Sequence, residues 1–181
     1  MPVSRSERDF LNLSEALTGF DRVELEGTGI STVYYQTVRQ IVGGLIFGRL
    51  LLTWRELADH VLPALHTEAE REAAIRQRFF DDPRLGAMLG PIVQNIITLW
   101  YIGNWNQLPR VWRNRWGANA RDLPHVVSAE AYQEGLIWRA ILAHPPDRQV
   151  ARFRIVGVSG RRRGAIEQVG RGISGGPEAR G

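Results

Sequence analysis

Chemistry would first be sought at the histidines, paired acids and glycine turns. The chain has four histidines, His60, His66, His125 and His144, and no cysteine. None of the histidines pairs with a nearby carboxylate at the spacing of a zinc motif, and His60 and His66 fall on different faces of any helix. Without cysteine, this chain can supply no disulfide, no thiolate ligand to zinc or an iron–sulfur cluster, and no cysteine nucleophile. Asp81 and Asp82 stand side by side before Pro83, where a solvated helix cap is the simplest role. The stretch GTGIST, residues 27–32, has two glycines of a dinucleotide-binding turn but Thr32 at the third, and the preceding VELE is too polar for a buried parallel strand. A loop between helices accounts for it better. No serine lies in a Gly-x-Ser-x-Gly elbow. No catalytic residue, no cofactor-binding residue and no metal ligand is expected in this chain.

A second kind of chemistry is recognition. Four of the six tryptophans, Trp100, Trp105, Trp112 and Trp116, lie within residues 95–116. Trp100 belongs to an apolar run and reads as core. Trp105, Trp112 and Trp116 are interleaved with Arg110, Arg113 and Arg115. Tryptophan and arginine are both enriched at the hot spots of protein interfaces. They can also stack nucleic-acid bases, but that use needs a broad basic field. The expected site is therefore a partner interface formed by Trp105, Trp112, Arg113, Arg115 and Trp116.

The elements that must position these residues are helical. Ser6 is placed to cap a helix over residues 6–18, with Phe10, Leu13, Ala16 and Leu17 on one stripe and Gly19 as its stop. Residues 21–32 read as a connection. Ser31 or Thr32 would cap a second helix that Gly43 and Gly44 bend or break. Thr53 would cap a further segment ending near Pro63. Thr67 caps a strong helix with acids at its start and arginines near its end. Pro91 would open a mainly apolar helix, which must be buried, and Gly103 would close it. Residues 104–127 show no period and read as a long irregular segment. Ser128 caps a last helix that the Pro145–Pro146 pair ends. The expected fold is mainly α: a compact helical domain over residues 1–147, with a long irregular Trp-rich segment and a disordered tail.

Charge sets that tail apart. All 23 basic residues are arginine, and the net charge of +4 is unevenly spread. Residues 1–147 hold 15 arginines against 17 acids; residues 148–181 hold 8 against 2. The body is slightly acidic, which argues against a nucleic-acid partner. The N-terminus shows no apolar core after a basic start and no adjacent arginine pair, so no secretory or twin-arginine signal is visible. The longest apolar run, Ile41 to Trp54, is interrupted by Arg49 and falls short of the roughly 20 residues that span a bilayer. No transmembrane segment is expected.

Three stretches, FLNLSEALTGF (10–20), NIITLWYIGNW (95–105) and AYQEGLIWRAILAHPP (131–146), occur in this order and spacing. Together they resemble the small subunit of bacterial FAD-dependent membrane-bound sugar and polyol dehydrogenases, the family of the sorbitol and fructose dehydrogenase small subunits. The resemblance covers roughly residues 8–147. It implies a non-catalytic subunit needed for folding, stability or export of a large subunit. That large subunit carries the FAD and the substrate site, and electrons pass from it to a cytochrome c subunit carrying haem c. It also implies a periplasmic location, attached to the inner membrane through the complex.

Two departures from that family stand out. Its small subunits commonly carry a twin-arginine signal, and none is visible here. After the Pro145–Pro146 pair they continue into a short Gly/Pro segment with a Ser-Trp, whereas this chain becomes Arg/Gly-rich. Codons for Ile155-Val156-Gly157 can be written so that reading two bases later gives Ser-Trp-Gly, which points to a frameshift over residues 148–181. The alternative reading is a helical binding module whose Arg-rich tail attaches to nucleic acid or anionic lipid.

Overall fold

The computed structural model describes residues 4–117, 119–133, 135 and 136. The expected tail, the boundary at residue 147 and most of the third family-like stretch lie outside the described residues. Within them the fold is mainly α, as expected, with eight α-helices and one pair of two-residue strands.

Helix α1 (Arg5–Thr18) is capped by Ser4 rather than Ser6. The backbone N–H of Glu7 donates to Ser4 Oγ at 3.2 Å, and the Ser4 N–H donates to the Glu7 carboxylate at 2.8 Å. This reciprocal box is built by a Glu or Gln three residues after the cap, which Ser4 has in Glu7; Ser6 has the shorter Asp9, whose carboxylate pairs with Arg55 instead. Phe10, Leu13 and Leu17 form the expected buried stripe, and Gly19 ends the helix with φ 72°. The segment expected to be a plain connection contains α2 (Arg22–Gly27), started by the same kind of box between Asp21 and Glu24. The GTGIST stretch makes the turn from α2 into α3 (Ser31–Val42). Neither Ser31 nor Thr32 caps α3, whose N-cap position, Ile30, has no side-chain cap bond.

Helix α4 (Gly44–His60) runs unbroken through Thr53, against the expectation of a new start there. Leu50, Leu51, Trp54 and Leu57 continue one buried face across that position, and Thr53 is itself buried. Packing decides the matter over a single capping residue. Gly43 does break the chain as expected. It closes α3 and opens α4 at φ 81° and ψ 154°, a region closed to side-chain-bearing residues. A short 3₁₀ turn, Leu62–Ala64, follows α4. Helix α5 (Glu68–Arg76) begins at the expected Thr67 cap.

A π-helical turn, Gln77–Asp81, leads from α5 to a sharp corner. The axis turns by 120° into α6 (Gly86–Ile102). At this corner a Cβ on Gly86 would lie 2.3 Å from the carbonyl oxygen of Phe80. Only a glycine lets the two backbones approach this closely. Helix α6 starts five residues before Pro91, the expected first residue; its N-cap position, Leu85, has no side-chain cap bond, and Asp82 orders the turn that leads into it. Its Oδ1 accepts the N–H of Arg84 at 2.8 Å and of Leu85 at 3.0 Å. Those two bonds hold the Asp82 carboxyl below the usual carboxylate range. Pro91 removes one N–H from inside the helix. The carbonyl it would have served belongs to Ala87, which is exposed and can be solvated. Gly103 ends α6 at φ 68°, as expected.

Helix α6 is the centre. It packs against α1, α3, the π turn and, further along, β1 (Asn104–Trp105) and α8 (Ala129–Gln133). Leu89, Ile92, Val93, Ile96, Leu99 and Trp100 are fully buried. Trp100 meets Tyr34 of α3 edge-on, with ring centroids 5.0 Å apart. Burial pushes the Tyr34 phenol well above its usual pKa. Among the described residues, no single helix is long and apolar enough to cross a membrane.

The glycines give a graded test by urea unfolding. Gly43→Ala should cost about 1–3 kcal/mol because its φ is closed to alanine. Gly86→Ala should cost at least as much through the clash with Phe80. Gly48→Ala, in mid-α4 with open space around it, should be neutral or stabilise by up to about 1 kcal/mol. A destabilised Gly48→Ala would contradict the described exposure of that face.

Asp82 gives a pH test. Its folded pKa lies below the ordinary value of 3.8, so its stabilisation is complete above that pH and is lost as pH falls through the folded pKa. Asp82→Asn should therefore lower stability at pH 7 and converge on the wild type in acid unfolding. A constant difference across pH would show that the cap acts without its charge.

Candidate partner-binding surface

The tryptophan-rich segment hangs from the C-terminal half of α6. After Gly103 the chain enters β1, which pairs antiparallel with β2 (His125–Val126), Trp105 opposite His125. The N–H of Val127 donates to the Gly103 carbonyl at 3.0 Å. This short pairing closes residues 106–124 into a loop. The loop is not irregular throughout: α7 (Arg110–Trp116) starts after Pro109 and ends at Gly117, φ 95°. The sequence carried the signal, a proline before, a glycine after, and tryptophans at i and i+4. The expectation of one irregular interface segment passes over that period.

One buried carboxylate organises the loop. Asp122 is 3% exposed. Its Oδ1 accepts the Trp105 indole N–H at 3.0 Å and the Leu108 N–H at 3.0 Å. Its backbone carbonyl accepts the Gln107 side-chain amide at 3.0 Å. Oδ2 takes no hydrogen bond among the described residues, and the Arg113 Nε stands 4.0 Å away as its counter-charge. Arg113 also donates to the Leu108 carbonyl at 3.1 Å. Asp122 was not singled out in the sequence, where nothing marks an Asp 17 residues from the tryptophan it serves.

Further bonds fasten the loop to the core. Asn95 of α6 accepts the Asn106 N–H at 2.7 Å, and the Trp112 indole donates to the Met88 carbonyl at 2.8 Å. Asn119 donates to the Gln40 carbonyl at 3.0 Å, and Arg121 donates to the Gln40 side chain.

These contacts correct the expected interface. Trp105 is 0% and Trp112 2% exposed within this chain alone. Both rings fill its own core, so neither faces outward to enter a groove on another protein. The reason is the polar anchoring of their indole N–H groups, to Asp122 and Met88, which holds the apolar bodies inward. Arg113 likewise turns toward Asp122 rather than to a rim. Trp116 and Arg115 remain at the surface. Trp116 is half-buried, tilted on Trp112 with centroids 5.5 Å apart, and the Arg115 guanidinium lies 4.9 Å above its ring.

The other candidate groups stay apart. Among the described residues, no group of three or more histidines or acids is placed to hold a metal. His60, His66 and His125 are exposed, and His144 lies outside the described residues. The chain matches no protein-family model, no curated protein and no solved structure.

The energetics of this loop are testable in the free chain. Trp105→Ala and Trp112→Ala should each lower its stability by about 3–5 kcal/mol, as core truncations do. Asp122→Ala should cost about 3–5 kcal/mol, because it strands the Trp105 and Leu108 donors and leaves Arg113 without its counter-charge. Trp116→Ala should cost markedly less. Equal losses for Trp105 and Trp116 in denaturant titrations would refute this inside-and-outside division.

Proposed function

We propose that this chain is the non-catalytic small subunit of an FAD-dependent sugar or polyol dehydrogenase complex. In this reading it supports the folding, stability or export of a large subunit that carries the FAD. A cytochrome c subunit takes the electrons, and the complex sits at the periplasmic face of the inner membrane. The observation that carries the reading is the ordered set of three family-like stretches. Their described parts meet in one core. Tyr101 of the second stretch donates to the Thr18 carbonyl of the first at 3.1 Å, and its ring meets Phe20 at 6.1 Å. Trp100 of the second packs on Tyr34, whose hydroxyl donates to the carbonyl of Ala131, the first residue of the third, at 3.4 Å. The described parts of the three stretches thus belong to one packing unit of this chain.

The partner-facing part of this reading moves with the geometry. Trp116 and Arg115 stay as candidates, while Trp105, Trp112 and Arg113 act from inside by holding α7 in place.

The test is co-expression with the FAD-bearing large subunit encoded in the same genome. The flavoprotein should co-purify with this chain in fixed ratio, and its soluble, flavin-loaded yield should fall several-fold without it. The isolated chain should show no flavin absorbance. A flavoprotein that folds fully alone and never co-purifies would overturn the proposal. Attachment of this chain to anionic vesicles or DNA, weakening steeply with salt, would favour the binding-module reading instead.

A further inference from the structure

The surface holds a second feature that the sequence did not reveal. An open cleft of about 650 Å³ lies between α4, the π turn and the start of α6. Arg49, Arg78 and Arg84 line it from those three places, with Asp82, Leu85 and Met88. Its charges are not equivalent. Arg78 is held within the protein, 2.7 Å from Glu56 and 3.6 Å from Asp82. Arg49 and Arg84 are exposed and form no salt bridge among the described residues. The cleft therefore carries three arginines against the single carboxylate of Asp82, which Arg78 and Arg84 both face, so its lining is net positive. It has this lining on a body whose residues 1–147 are net negative.

Apolar surface continues from the cleft along α4. Leu45 and Leu52 lie four residues before and three after Arg49, so the three share one helix face. Leu45 is 93% and Leu52 43% exposed. Packing among the described residues does not account for them. At the other edge, the Met88 carbonyl accepts the Trp112 indole N–H, which ties this side of the cleft to α7.

We propose that this cleft and the adjoining α4 face seat an acidic, apolar-bearing segment of the flavoprotein large subunit. The proposal rests on the small-subunit reading above and gives that interface a place and a chemistry. Two carboxylates of the segment pair with Arg49 and Arg84 at the mouth, where a planar guanidinium can take a carboxylate in two-point contact. Its apolar side chains cover Leu45 and Leu52 and enter beside Leu85 and Met88. Charge complementarity favours an acidic occupant over a basic one. The interleaved leucines favour a polypeptide over a nucleic-acid backbone, which would set phosphates against apolar groups and needs a wider basic field. A concave cleft with side-chain-sized room favours the same occupant over a flat lipid surface.

The test uses the full chain and the purified FAD-bearing large subunit, with Kd read by surface capture. Two double variants carry it, Arg49→Glu with Arg84→Glu, and Leu45→Asp with Leu52→Asp. The altered side chains are exposed in this chain, so both variants should unfold at the wild-type temperature, which is checked first. Each should weaken capture roughly tenfold or more, with the charge pair also changing the salt dependence of the association rate. Val23→Asp, on the exposed face of α2, should leave capture unchanged. Wild-type strength in both double variants would overturn the cleft assignment and leave the small-subunit reading standing. No capture by the wild-type chain would overturn that reading and this inference together. Binding of phosphatidylglycerol vesicles or duplex DNA that the arginine variant abolishes, without flavoprotein capture, would overturn it in favour of a phosphate-bearing ligand.

Discussion

The constraint on which the rest depends is that α6 can show water only one narrow stripe, along Ala87, Gln94 and Ile102. Its apolar residues point in nearly every direction, and burying each large one is worth about 1.5–3 kcal/mol. The chain satisfies this by covering the remaining faces of the helix: α1 and α3 from one part of the sequence, the π turn just before it, and β1 and α8 after it. Two devices make that possible. Gly86 lets the preceding turn lie against the backbone of α6 without a Cβ between them. Asp82 orders the turn that leads into α6, accepting the N–H groups of Arg84 and Leu85.

The helical character was legible because the stripes of α1 and the caps at Thr67 and Ser128 are local signals. So were the stops at Gly19 and Gly103 and the break at Gly43. The failures came from outcomes that local signals do not decide. Thr53 has the chemistry of a cap, but the buried stripe of α4 runs past it. Pro91 resembles a helix start, but α6 begins five residues earlier, after the turn that Asp82 orders. The tryptophan segment was misread most. An indole facing a partner and an indole facing the core have the same sequence. What distinguishes Trp105 is the acceptor at Asp122, brought beside it by the β1–β2 pairing. The Arg49–Arg84 cleft was illegible for the same reason, since its arginines come from three separate places in the chain.

The family-like stretches and the candidate binding surface occupy different parts of the molecule. Phe20, Tyr101, Trp100 and Ala131 are interior or partly interior residues that hold elements together. Arg49, Arg84, Leu45 and Leu52 lie outside all three stretches. A shared core can thus be kept while the surface is altered for a different partner. In the proposed small-subunit reading, the stretches would set the architecture and the surface the choice of partner.

The arrangement at Asp122 also has a dynamic consequence. A single oxygen accepts both the Trp105 indole N–H and the Leu108 backbone N–H, and Arg113 spans from the carboxylate to the Leu108 carbonyl. These links are difficult to release one at a time, because withdrawing Asp122 strands two buried donors together. The loop should then open as one cooperative unit rather than fray from an end. Solvent hydrogen exchange at the Leu108 amide and at the Trp105 indole would share a single opening rate, set by the carboxylate and not by either residue's own exposure.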